Sequence, residues 1–179
     1  RLTSGNAGTG ILIDGSSLTH ELNWEPDNGN LVFEMKAQLS AITNVIVNLG
    51  FSDSKSTTAL ELPFELNTTT VTYTATNGVA WVFDTGATND NWHCIANGND
   101  SQPSAINSGV APTATMDQTF RIEVNASGTA ECFIDGTSYG VIENALSTTI
   151  DVTPIAVVNA DSTGSRNLDL DFLFVGMDR

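Results

Sequence analysis

Along most of this chain apolar and polar positions alternate with a period of two, the pattern of strands that bury one face. The clearest run is 31–39, where Leu31, Phe33, Met35, Ala37 and Leu39 share one face and Val32, Glu34, Lys36 and Gln38 the other. Val45, Val47, Leu49 and Phe51 make a second run. Leu60, Leu62, Phe64 and Leu66 alternate with Glu61, Pro63 and Glu65, and Pro63, which cannot donate to a ladder, puts that piece on an edge or in a loop crossing. Residues 71–75 and 79–83 read as a hairpin about Asn77-Gly78, and 92–96 as another strand. In the last third, Phe120, Ile122 and Val124 alternate with Arg121 and Glu123. A polar turn at 125–128 returns the chain into 129–134, which ends at Asp135-Gly136. Residues 150–158 are apolar at nearly every position, as in a strand buried on both faces. Leu168, Leu170, Phe172 and Phe174 then alternate with Asp169 and Asp171.

Shorter strands are expected at 11–13 and 18–22, and no helix beyond a turn near 143–146. About a dozen short strands in 179 residues predict an all-β fold, two packed antiparallel sheets in a jelly-roll sandwich. Residues 1–10, small and polar, read as a flexible N-terminal arm, and 11–179 as a single β-sandwich domain. The polar stretch 97–118 reads as a long excursion of a length that is usually functional or partner-bound.

Charge narrows the function. Six basic residues face 21 acidic ones, a net charge of −15. No basic patch can be built to neutralise phosphates, so neither nucleic acid nor an anionic membrane surface is an expected partner. No apolar run is long enough to span a bilayer, and no secretory signal opens the sequence as it stands. Cys94 and Cys132 sit inside expected strands among apolar neighbours, and two buried free thiols are favoured over a bridge.

The order of elements resembles the concanavalin A-like lectin/glucanase (laminin-G-like) sandwiches. The resemblance rests on Trp24-Glu25-Pro26-Asp27 ahead of a long strand, on 48–53, on the 125–128 turn, on Phe133-Ile134-Asp135-Gly136, and on the closing Leu168–Phe172 pattern. More narrowly, it is similar to versions found in structural proteins of tailed bacteriophages. That resemblance implies a non-enzymatic virion protein, assembled in the host cytoplasm: a capsid decoration (cement) protein, often trimeric, with the major capsid protein as partner. On that reading Ile95, Ile106 and Val110 are the expected partner contacts. The alternative is a lectin-like carbohydrate-binding module of a fibre or tail protein, with Trp24, Trp92 and Tyr139 as stacking platforms for sugar rings.

Candidate chemistry is sparse. Glycanases of this clan place carboxylates at alternate positions of one strand. Asp169 and Asp171 have that spacing without a third acid, and Glu61 and Glu65 straddle a proline, so both pairs read as surface acids. His20 and His93 lack a nucleophile elbow, and His93-Cys94, adjacent on a strand, point to opposite faces and cannot share zinc. No cofactor is expected. Calcium is the one metal with a donor set, from Asp84, Asn89, Asp90 and Asp100.

Overall fold

The computed structural model describes residues 1–3, 15–19, 24–54, 62–98, 100, 104–160 and 164–178. The strands are β1 (Leu2–Thr3), β2 (Gly15–Thr19), β3 (Leu31–Leu39), β4 (Val45–Ser52), β5 (Phe64–Asn67), β6 (Thr70–Tyr73), β7 (Gly78–Asp84), β8 (His93–Asn97), β9 (Ser104–Asn107), β10 (Asp117–Val124), β11 (Ala130–Ile134), β12 (Thr137–Ile142), β13 (Thr153–Ala160) and β14 (Asn167–Met177). The one helical element among the described residues is a 3-10 turn, Pro26–Asn28, and residues 143–144 form a turn. The fold is all-β. Its first sheet runs β1-β14-β3-β10-β11-β12 and its second β2-β13-β4-β7-β8-β9, each antiparallel throughout. This is the expected jelly-roll sandwich.

Alternation decides which side chains meet between the sheets. The odd-numbered residues of β3 and the even-numbered apolar residues of β10 are buried, facing Val47, Leu49 and Phe51 of β4 and Trp81 and Phe83 of β7. Aromatic rings knit the layers: Phe33 meets Phe51 edge-on at 5.8 Å, and Trp92 lies against Phe120 at 4.4 Å. The β10–β11 turn is an Asx turn, in which Asn125 Oδ1 accepts from the backbone N–H of Ser127 and Thr129. Gly128 there has φ +80°, and a Cβ would stand 2.1 Å from the Leu146 carbonyl oxygen. Asp135 and Gly136, both with positive φ, close the next hairpin as a two-residue primed turn.

Four features depart from the sequence reading. Cys94 and Cys132 are joined in a disulfide with Cα atoms 6.5 Å apart, not free thiols, and the bond ties β8 of the second sheet to β11 of the first. The hairpin expected about Asn77-Gly78 does not form. β6 pairs with β5 instead, because the Asn77 side chain accepts from Ser147 N–H and donates to the Ile150 carbonyl, while Gly78 starts β7 between β4 and β8. The 97–118 excursion contains β9, an edge strand on β8. Of residues 1–10, Leu2 and Thr3 pair with Leu168 and Asn167, while 4–10 and the expected strand at 11–13 lie outside the described residues.

The second sheet is buried on both faces. Every residue of β4, β7, β8 and β13 is buried. The face turned away from the first sheet carries Ala80, Val82 and Ile95, and the β5–β6 hairpin covers it with Phe64 and Leu66. Three buried polar side chains hold that hairpin by its backbone. Asn48 donates to the Phe64 carbonyl and accepts from the Phe64 N–H, both at 3.0 Å. Asp84 accepts from Leu66 N–H at 2.8 Å, and Asn97 donates at 2.9 Å to the carbonyl of Ala75, two residues past the end of β6.

Two outcomes follow from these contacts. The disulfide closes a loop of 38 residues, so reduction, or Cys94→Ala with Cys132→Ala, is expected to lower unfolding free energy by about 4 kcal/mol in urea titrations. Asn48→Ala leaves two buried backbone groups of Phe64 without partners. It is expected to cost about 3 kcal/mol, with hydrogen exchange accelerated selectively over residues 64–73.

Candidate functional site

Of the four sheet faces, two form the core and the hairpin covers a third. Among the described residues nothing covers the outer face of the first sheet. Its side chains follow from register. Across the strands run Phe174 on β14, Glu34 on β3, Arg121 on β10, Phe133 on β11 and Ser138 on β12, each directly opposite the next. One step along lie Gly176, Val32, Glu123, Glu131 and Val141. One step the other way, Phe172 faces Lys36, which faces Thr119. Phe172 and Phe174 are 40% and 53% exposed. The sequence pattern placed them with Leu168 and Leu170. A bulge between Leu170 and Phe172 reverses the phase of β14, so the leucines point inward and both rings outward.

Arg121 organises this face. Its Nε donates to Glu123 Oε1 and its Nη1 to Glu34 Oε2, both at 2.6 Å. The hydrogen bond to Glu34 is the first cause of a guanidinium pKa held above its ordinary value. Lys36 bridges Asp117 at 3.0 Å and Asp171 at 3.1 Å. Arg1 grips Asp169 with two bonds and thereby holds that carboxyl below its usual range. Asp169 and Asp171 are therefore ion-paired surface acids, as the sequence suggested. An open depression of about 590 Å³ lies beside the row, lined among others by Arg121, Glu123, Glu131, Val141 and Asp178. Glu123 and Glu131 are direct cross-strand partners, and Ser138 Oγ donates to Glu131 Oε1 at 2.6 Å. A second carboxyl pair lies elsewhere: a hydrogen bond with Asp151 raises Glu25. Sequence reasoning missed both pairs because their members lie on separate segments.

The anticipated site residues do not gather. Trp92 is 1% exposed, its Nε1 donating to Gln118 Oε1 and its ring packed on Phe120, so it offers no sugar platform. Tyr139 is half-buried, edge-on to Trp81 at 6.2 Å, and Trp24 is half-buried against the core. Ile95 is fully buried beneath the β5–β6 hairpin and cannot contact a partner; Ile106 and Val110 pack against the main core. Asp84 binds the N–H groups of Leu66 and Gly86. Among the described residues no three His, Cys, Asp or Glu side chains are placed to hold a metal ion, Asp84, Asp90 and Asp100 included. His20 and Glu61 lie outside the described residues. Tyr73, 38% exposed on β6, is remote in register from the open face.

No protein-family model matches the chain, and no curated protein matches it by sequence. Solved structures do. An alginate lyase of Pseudomonas aeruginosa is 16% identical, with a TM-score of 0.59 over 95% of this chain and 77% of the lyase. The Bacillus licheniformis β-glucanase is 10% identical, at 0.59 over 91% and 71%. The carbohydrate recognition domain of Emp46p is 9% identical, at 0.64 over 90% and 77%. The fold is the concanavalin A-like jelly roll shared by carbohydrate-active enzymes and lectin domains. These neighbours overturn the expectation of a non-enzymatic capsid decoration protein. The capsid partner, trimer and virion location that rested on it lose their support.

His93 tests the burial of the second sheet. It is 7% exposed, with Nδ1 3.0 Å from the Asn91 carbonyl oxygen, and burial lowers its pKa. The folded state thus takes up this proton less readily than the unfolded chain, whose value is about 6.5. Its contribution is full above that pH and lost as pH falls through the lowered folded value. The thermal midpoint is expected to drop on acidification below pH ~6.5, less steeply in His93→Gln, as calorimetry across pH would show.

Proposed function

We propose that this chain is a carbohydrate-active domain that binds a polysaccharide along the outer face of its first sheet. The observation that carries the reading is the row Phe174, Glu34, Arg121, Phe133, standing beside the open depression. Exposed aromatic faces stack on the C–H faces of sugar rings. Carboxylates held in place by an arginine accept hydrogen bonds from hydroxyls, and the unused N–H groups of Arg121 donate to ring and hydroxyl oxygens. Ion pairs as exposed as these contribute little to stability. Their effect is to hold donors and acceptors in a fixed array. The shared fold with lyases, a glucanase and a carbohydrate recognition domain supports the same ligand class. The inter-sheet disulfide supports a place of action outside a reducing cytoplasm.

A specific observation favours hydrolysis at this face. Glu123 and Glu131 lie directly opposite each other, an arrangement of like charges that costs stability in a sheet, and among the described residues Glu131 is in no ion pair. Such an exception at the mouth of a depression supports a working site. Two facing carboxyls are what glycoside hydrolysis needs: one protonates the leaving oxygen, and the other attacks the anomeric carbon or activates the water that adds there.

Binding of neutral β-glucan oligosaccharides, measured by calorimetry, is expected to weaken about tenfold in Phe174→Ala and in Phe133→Ala. Release of reducing ends is expected to vanish in Glu123→Gln and in Glu131→Gln. Unchanged affinity in both aromatic variants would refute the binding face. Binding without any reducing ends from the unaltered protein would remove hydrolysis alone.

A further inference from the structure

We infer that the open face selects uncharged glycans against acidic ones, and that Glu34 and Glu123 set this selectivity by occupying Arg121. The inference rests on the glycan-binding reading above. Proteins grip a uronate carboxylate through the paired N–H groups of a guanidinium. Among the described residues Arg121 is the cation lining the depression, and two of the protein's own carboxylates already hold it, through Nε and through Nη1. The other described cations of this face are engaged in the same way: Lys36 by Asp117 and Asp171, Arg1 by Asp169. A uronate entering here meets an Arg121 whose charge Glu34 and Glu123 already offset and whose Nε and Nη1 donors they already hold, while it approaches Glu131 and Asp178. The net charge of −15 repels a polyanion before contact as well. An uncharged sugar meets none of these obstacles. Its hydroxyls donate to the same carboxylates and accept from the N–H groups that remain on Arg121.

The two glutamates thus act as internal competitors for the arginine that an acidic sugar would need, and their removal is expected to gain a function. The test compares calorimetric affinities for oligomers of a neutral β-glucan and of mannuronate, at matched length and near-physiological salt. Three chains are measured: the unaltered protein, the double variant Glu34→Gln with Glu123→Gln, and that variant carrying Arg121→Gln as well. The unaltered protein is expected to prefer the neutral oligomer by about tenfold or more. In the double variant the ratio of mannuronate to neutral affinity is expected to rise about tenfold, to shrink with added salt, and to fall back when Arg121 is replaced. Glu34→Gln alone is expected to shift the ratio the same way by a smaller factor, which keeps the test decisive if the double variant does not fold. Equal binding of both oligomers by the unaltered protein, or an unshifted ratio in folded variants, overturns the selectivity while glycan binding stands. Binding of neither oligomer by the unaltered protein overturns the binding face itself.

Discussion

A sheet that is apolar on both faces has to be covered twice, and most of this architecture follows from that requirement. The second sheet packs Val47, Leu49, Trp81 and Phe83 against the first and leaves Ala80, Val82 and Ile95 on its other side. The β5–β6 hairpin covers these residues, and Leu62 packs on Ile46, Ile155 and Val157 beside them. Strands of four residues are marginal alone. Asn48, Asp84 and Asn97 therefore anchor the hairpin by its backbone groups, within a buried setting that makes each such bond costly to lose. The sandwich is asymmetric in consequence: among the described residues the central strands of one sheet are buried on both sides, and the other sheet keeps one face open.

That open face owes its character to an irregularity. Regular alternation would send Phe172 and Phe174 inward with Leu168 and Leu170. The bulge in β14 turns them out beside Glu34, Lys36 and Arg121. Large apolar rings in water are unfavourable unless something covers them, and here they flank hydrogen-bonding groups already fixed by ion pairs. The combination of flat apolar surface and pre-oriented polar groups matches the two-sided character of a sugar, apolar across its C–H face and polar at its rim. Fold alone does not carry this conclusion. The proposal rests on the side chains of the row.

The disulfide bears on the same face from behind. Cys132 lies next to Phe133 on β11, with its side chain in the core while the ring of Phe133 stands on the outer face. Linking it to Cys94 fixes β11 against the second sheet. The strand that presents Phe133 and Glu131 is thereby tied to the second sheet, which favours a rigid outer face over one that orders only on contact.

Much of the fold was legible one strand at a time. The expected 31–39 run is β3 residue for residue, the 45–51 run is β4 less its last residue, and the doubly buried 150–158 segment is β13 shifted by two or three positions. These are local properties, since a period of two and the burial it implies are written in neighbouring residues. What neighbours in sequence could not tell was which distant strand lies opposite. Cys94 meets Cys132, Asn48 reaches Phe64, Arg121 stands between Glu34 and Phe133, and Glu123 faces Glu131 only because particular registers bring them together. Trp92 and Ile95 looked available on an isolated strand and are buried once Phe120 and the β5–β6 hairpin close over them. Strands and turns thus belong to the chain read locally. The site belongs to long-range pairing, because a cross-strand neighbour is set by register, and register is settled by the packing of the whole sandwich.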